Sequence, residues 1–93
     1  MTEAQIQNKI IKYLDSEGWL TNKLMTMSKN GWPDLIAHKD GKTIYIEVKR
    51  PNGRLSKIQE YSISNLYKAG IDVLITNNLE EVKEWITNEI TKS

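Results

Sequence analysis

The chain has 93 residues and a net charge of +1, with 39% hydrophobic and 27% charged residues. The length fits one domain and leaves no room for a second, and the composition is typical of a soluble globular protein rather than a disordered chain. Cysteine is absent, which excludes disulfides, thiolate chemistry and zinc sites built on cysteine. Neither a signal-peptide run nor a membrane-length apolar run is visible, so we expect a cytoplasmic protein with no membrane partner.

The N-terminal quarter predicts a helix followed by a strand. Thr2 and Gln5 have the spacing of a capping box, which opens the helix, and Gly18 is a suitable residue to end it. Residues 19–27 alternate loosely between apolar and polar side chains, which favours a strand.

Two further strands form a predicted hairpin. Residues 34–38 favour a short strand, and Asp40-Gly41 is a strong signal for a two-residue hairpin turn. The clearest strand covers residues 43–49, in which Ile44, Ile46 and Val48 lie on one face.

The second half predicts a helix, a buried strand and a last helix. A capping-box pattern opens each helix, formed by Ser56 with Gln59 and by Asn78 with Glu81. The first helix runs to Ala69, and the β-branched run at 71–75 is typical of a buried strand. The predicted class is therefore α/β, in the order α-β-β-β-α-β-α, with a central mixed β-sheet flanked by helices.

The strand at 43–49 also carries candidate chemistry. Tyr45, Glu47 and Lys49 share one face because side chains alternate along a strand, and the hairpin can bring Asp34 alongside Glu47. Two carboxylates suit Mg²⁺, and a nearby lysine can orient a water and offset charge on a phosphate. The alternative is a chance Glu-x-Lys pair that faces water, because short motifs often occur without function.

Three segments read GWPDLI, IYIEVK and GRLSKIQ, in this order. Together they resemble the VRR-NUC family of the PD-(D/E)XK nuclease superfamily, and in particular its small stand-alone members from phages and bacteria. The resemblance implies a restriction-endonuclease-like fold and a single VRR-NUC-like nuclease domain over residues 1–93. It also implies a Mg²⁺ cofactor, for which Mn²⁺ would substitute.

The resemblance implies roles for individual residues. Asp34 and Glu47 would bind the metal together with the backbone carbonyl of Val48, and Lys49 would position or activate the attacking water. Gln59 would lie near the catalytic centre, although its capping box is an alternative explanation.

Two further assignments depend on position relative to this centre. Glu3 resembles an acid of the first helix that faces the metal, and the alternative is a favourable position in the helix dipole. Basic residues beside the catalytic strand would bind phosphates rather than read sequence, namely Arg50, Arg54 and Lys57, with Lys29 as a weaker candidate. The alternative for these cations is a solvated loop.

We therefore expect a metal-dependent, structure-selective DNA endonuclease in the cytoplasm of a bacterial or phage-infected cell. Branched or four-way junction DNA is the expected substrate, and a homodimer would place two centres on two strands. Trp19 or Trp85 is a candidate for the dimer interface. The alternatives are a nucleic-acid-binding module of the same fold that does not cut, and a purely structural or protein-interaction domain.

Overall fold

The computed structural model describes the backbone of residues 1–24 and 31–92, and the side chains of residues 1–24 and 31–88. The predicted order of seven elements is confirmed. The helices and strands are α1 (Glu3–Ser16), β1 (Leu20–Lys23), β2 (Leu35–Lys39), β3 (Lys42–Val48), α2 (Lys57–Lys68), β4 (Asp72–Thr76) and α3 (Leu79–Lys92).

The four strands form one mixed sheet in the order β1-β2-β3-β4. The first three are antiparallel neighbours, and β4 is parallel to β3. The hairpin between β2 and β3 turns at Asp40 and Gly41, whose φ angles are 49° and 80°. Two successive positive φ angles are the signature of a type I′ turn, which explains why Asp-Gly stands here.

Side-chain alternation on β3 divides the molecule into two apolar layers. Ile44, Ile46 and Val48 face α1 and α3, and they form the main core with residues such as Ile10 and Val82. On the opposite face, a smaller cluster joins β4 to α2; it contains Val73, Ile63 and Leu66, with Tyr45 packed against it. The face of β3 that carries Glu47 therefore lies under α2.

Capping side chains begin all three helices where the sequence predicts. Both predicted boxes at the starts of α1 and α2 are reciprocal, with each N-cap side chain and each glutamine side chain bound to a backbone N–H. At the start of α3, Asn78 Oδ1 accepts a hydrogen bond from the backbone N–H of Glu81 at 2.8 Å.

Two expectations need correction. The first strand ends at Lys23, and residues 25–27 lie outside the described residues. Trp19 is only 6% exposed and belongs to the main core, and Trp85 is partly buried against the same core. Because Trp19 is buried in the core, it is not available for a dimer interface.

Within the described part of the chain, no helix has the length and apolar character needed to cross a membrane.

Candidate active site

The hairpin register brings the two predicted carboxylates together. Leu35 pairs with Ile46, so one step further along the antiparallel pair Asp34 lies opposite Glu47. Opposite residues of antiparallel strands project from the same face. Asp34 Oδ2 accepts a hydrogen bond from the backbone N–H of Val48 at 2.8 Å, which fixes this carboxylate against the end of β3.

Glu47 is the central buried charge of the site, with 1% of its surface exposed. Its Oε2 lies 3.3 Å from Lys49 Nζ and accepts a hydrogen bond from Gln59 Nε2 at 3.1 Å. Its Oε1 is also buried but has no hydrogen-bond partner among the described residues. A buried carboxylate oxygen without a partner is costly unless a cation or water completes it.

Val48 contributes through its backbone. In an extended strand the N–H and C=O of one residue point to the same side. Because the Val48 N–H points to Asp34, the Val48 carbonyl also projects toward that side. The next residue alternates, and the backbone N–H of Lys49 donates to Thr76 O on β4 at 2.8 Å. The Val48 carbonyl therefore lies on the same side of β3 as Asp34.

Gln59 performs both tasks that the sequence offered as alternatives. Its side-chain Oε1 accepts a hydrogen bond from the backbone N–H of Ser56 at 2.9 Å, and its backbone N–H donates to Ser56 Oγ at 3.2 Å. The amide orientation set by this capping box leaves Nε2 to donate to Glu47. The start of α2 and β3 are therefore joined through one side chain.

The loop before Asp34 is held tightly against α2. Gly31 has a φ of 81°, and a Cβ at this position would lie 2.6 Å from the backbone oxygen of Ile58. Trp32 packs edge to face on Tyr45, with ring centroids 5.6 Å apart. No local sequence pattern reveals this contact, because Ile58 stands 27 positions later in the chain.

Burial controls the electrostatics of the two carboxylates. Desolvation, followed by the charge of Asp34, raises the pKa of Glu47 to about 7, although Lys49 opposes this shift. Desolvation also raises the pKa of Asp34, against the hydrogen bond from Val48 and the charge of Lys49. Two ionised carboxylates are therefore disfavoured here without a cation.

Glu3 lies at the edge of this centre. It stands in the first turn of α1, and its charge contributes to the raised pKa of both Asp34 and Glu47. Within residues 1–24 and 31–88, however, no three His, Cys, Asp or Glu side chains are close enough together to hold a metal. Glu3 is near the carboxylates but does not complete a cluster of three ligating side chains with them.

Three predicted phosphate-binding residues follow β3 in the chain. Arg50 and Arg54 are exposed in the loop that follows β3, and Lys57 is exposed at the first position of α2. Lys49 and Arg50 also line a cleft of about 160 Å³. Lys29 lies outside the described residues.

The chemistry of this donor set fits a small divalent cation. Mg²⁺ takes oxygen ligands and is usually held by one or two carboxylates, keeping several waters. Asp34, the unpartnered Oε1 of Glu47 and the Val48 carbonyl provide oxygen donors of this kind.

The model of the VRR-NUC domain family matches residues 1–78. The chain belongs to the VRR-NUC family. This is a family of nuclease domains, whose members are generally metal dependent. The match ends just before α3, which nevertheless contributes Val82 and Ile86 to the main core.

Two solved structures show the same fold. A structure described as "VRR_NUC domain" has a TM-score of 0.81 and 24% sequence identity, over 91% of this chain and 94% of the other. A "VRR_NUC domain protein" has a TM-score of 0.80 and 20% identity, over 98% of this chain and 89% of the other. No curated protein matches the chain significantly. The VRR-NUC fold explains why the three sequence segments converge at one end of the β2–β3 pair.

Proposed function

We propose that the chain is a Mg²⁺-dependent DNA endonuclease of the PD-(D/E)XK type, which acts as one domain over residues 1–93. The observation that carries this proposal is the convergence of Asp34, Glu47 and Lys49. One oxygen of the buried Glu47 carboxylate has no partner among the described residues, and the other lies 3.3 Å from the lysine.

Asp34, Glu47 and the Val48 carbonyl are proposed to hold Mg²⁺, which Mn²⁺ can replace, and Glu3 adds negative charge nearby. The bound cation would lower the pKa of a water and offset charge on the phosphate. The ammonium of Lys49 has three donors, of which Glu47 occupies one. The other two are available to orient the attacking water and to neutralise a phosphate oxygen. The expected products carry a 5′-phosphate and a 3′-hydroxyl.

Cleavage by the wild type and three variants tests this assignment. We expect Glu47→Gln and Lys49→Met each to reduce cleavage at least a hundredfold, because each removes a charge that acts on the reacting groups. Lys68→Met is the matched control, since Lys68 is an exposed cation in the last turn of α2. Equal activity of Lys49→Met and Lys68→Met would contradict the proposed role of Lys49.

Gln59 is proposed as a positioning residue for Glu47, and its two contacts can be separated. Gln59→Glu keeps an acceptor for Ser56 but replaces the Nε2 donor by an anion beside Glu47. We expect unchanged helix content, weaker Mg²⁺ binding measured by calorimetry, and slower cleavage. Gln5→Glu is the matched control, because Gln5 occupies the same capping position in α1. If both variants bind Mg²⁺ equally well, Gln59 serves only the helix.

The proposed substrate is structured DNA, in particular branched or four-way junction DNA, cut by a homodimer in the cytoplasm of a bacterial or phage-infected cell. Arg50, Arg54 and Lys57 are proposed to hold phosphates, as is Lys29. Cleavage of a labelled panel of single-stranded, duplex, flap and junction DNA tests the substrate preference. Sedimentation tests whether the protein is a dimer in solution. Binding without cleavage in Mg²⁺ and Mn²⁺ would instead favour the non-catalytic binding module.

A further inference from the structure

An apolar groove of about 440 Å³ runs along the exposed side of α2. Its lining includes Trp32, Ile58, Tyr61, Asn65 and Leu66, and no charged side chain lines it among the described residues. The volume lies in the range of roughly 300–1,000 Å³ that is usual for ligand pockets. Neither the residues of the main core nor the proposed metal ligands line this groove.

Large apolar side chains remain exposed in the groove. Tyr61 is 68% exposed and Ile58 is 50% exposed. Contiguous exposed apolar surface of this kind marks an interaction site more often than isolated residues do. A ring that costs little to order and presents an open face, such as that of Tyr61, is well suited to stacking on a planar ligand.

Two residues that line the groove, Trp32 and Ile58, are close in sequence to residues of the proposed catalytic centre. Trp32 stands two residues before Asp34, and its ring packs on Tyr45, which stands two residues before Glu47 on β3. Ile58 is next to Gln59, whose amide donates to Glu47. A ligand beside Trp32 and Ile58 would therefore contact residues that are sequence neighbours of Asp34 and Gln59.

Two exposed cations precede the groove residue Ile58 in the chain. Lys57 and Arg54 are exposed at the start of α2 and in the preceding loop. Apolar and aromatic side chains for a base, followed by cations for a phosphate, are the combination by which proteins hold single-stranded nucleic acid. Asn65 can add hydrogen bonds to the edge of a base.

We propose that this groove receives an unpaired nucleobase next to the scissile phosphate, stacked on Tyr61 and Trp32. The inference rests on the proposed nuclease function and gives it a substrate class, namely DNA with an unpaired or displaced base at the cut. A base in a perfect duplex has to leave its stack before it reaches the groove, which is unfavourable. The domain thereby selects structure without reading sequence.

Photo-crosslinking tests where the base lies. The probes are duplexes with one unpaired 5-iodouracil, and fully paired duplexes with 5-iodouracil in the same sequence, in EDTA so that no strand is cut. We expect crosslinks to Tyr61 or Trp32 from the unpaired probe only. Crosslinks elsewhere, or equal crosslinking of both probes, would overturn the inference.

Binding by variants provides the second measurement. Tyr61→Ser is expected to weaken binding of the unpaired probe about tenfold and to leave duplex binding unchanged. Tyr61→Phe keeps the ring and is expected to keep the affinity. Leu20→Ala is the matched control, because Leu20 is 66% exposed on β1, outside this groove.

The outcomes distinguish this inference from the proposed function. Wild-type cleavage in Mg²⁺ with no effect of Tyr61→Ser on binding overturns the groove assignment and leaves the nuclease intact. Specific crosslinks without cleavage in Mg²⁺ or Mn²⁺ overturn the nuclease and leave the groove as a base-binding site. If Tyr61→Ser instead dissociates a dimer in sedimentation, the groove belongs to a second copy of the chain and the inference is wrong.

Discussion

At the scale of single residues, Glu47 combines burial with an unfinished set of contacts. Lys49 and Gln59 both approach the same oxygen, Oε2. Removing a carboxylate from water is unfavourable, and one cation with one amide does not complete its four lone-pair sites. The metal-free fold therefore carries a local instability that a divalent cation would relieve, which links stability to pH and to metal.

We predict that Glu47→Gln stabilises the metal-free protein at pH 8. The pKa of Glu47 rises from 4.5 to about 7 on folding, so the folded state binds this proton more tightly than the unfolded state. The stability that protonation of Glu47 contributes is fully present below about pH 4.5 and is lost as the pH rises through about 7. The shift, which already includes the attraction of Lys49, corresponds to about 3 kcal/mol, and this value is the upper limit of the expected gain.

Urea unfolding in EDTA at pH 5 and pH 8 measures this effect. The wild type should lose stability between the two pH values more steeply than the variant does. Glu84→Gln is the control, since Glu84 is an exposed acid on α3. Parallel pH profiles for wild type and Glu47→Gln would show that Glu47 is not the titrating group.

At the scale of elements, a backbone contact joins the Asp34 loop to α2. Gly31 approaches the carbonyl of Ile58 so closely that a side chain has no room. Asp34 precedes β2 and Gln59 lies in α2, and both side chains act on Glu47. The precision of the site thus depends on packing between a loop and a helix as well as on the sheet.

We predict that Gly31→Ala impairs the site more than its backbone strain alone explains. Gly41→Ala is a matched comparison, because Gly41 has nearly the same φ of 80° and no atom within 4 Å of an added Cβ. Gly41→Ala should cost about 1 kcal/mol through φ alone. Gly31→Ala should cost about 1–2 kcal/mol more, because the backbone of α2 or the loop has to move.

Cleavage distinguishes the two glycine variants further. Moving Asp34 by a fraction of an ångström should lower the rate about tenfold or more in Gly31→Ala, while Gly41→Ala keeps the wild-type rate. Denaturant unfolding and a cleavage time course measure the two effects separately. Equal losses in both variants would show that the contact with Ile58 does not position the site.

At the scale of the whole molecule, local sequence patterns predict the helices and strands, and the pairing of β2 with β3 explains how the candidate site is assembled. Capping boxes and the Asp-Gly turn fixed most element boundaries, because each acts within a few residues. The hairpin then predicted that Asp34 lies beside Glu47. The approach of Gly31 to α2 and the burial of Trp19 depend on distant segments, so no local pattern predicts them.

The overall dimensions bear on how one protomer meets DNA. Its principal extents are 32 × 32 × 23 Å, about the 34 Å of one turn of duplex. If the proposed centre acts on one strand, symmetric cutting of a junction requires a second copy of the chain. In the proposed function, the exposed cations that follow β3 hold the phosphates of the strand at that centre.

We predict that these cations set a sequence-independent and structure-independent part of the affinity. Each phosphate contact releases counterions, so removing one lowers the salt slope of log K by about 0.9. Arg50→Gln, Arg54→Gln and Lys57→Gln combined should lower the slope by about 3 and weaken duplex and junction binding alike. Lys12→Gln, an exposed change on α1, should leave the slope unchanged. Tyr61→Ser should instead weaken binding of unpaired bases only and leave the salt slope unchanged. Fluorescence anisotropy over a salt series measures both, and an unchanged slope in the triple variant would mean that this loop is simply solvated.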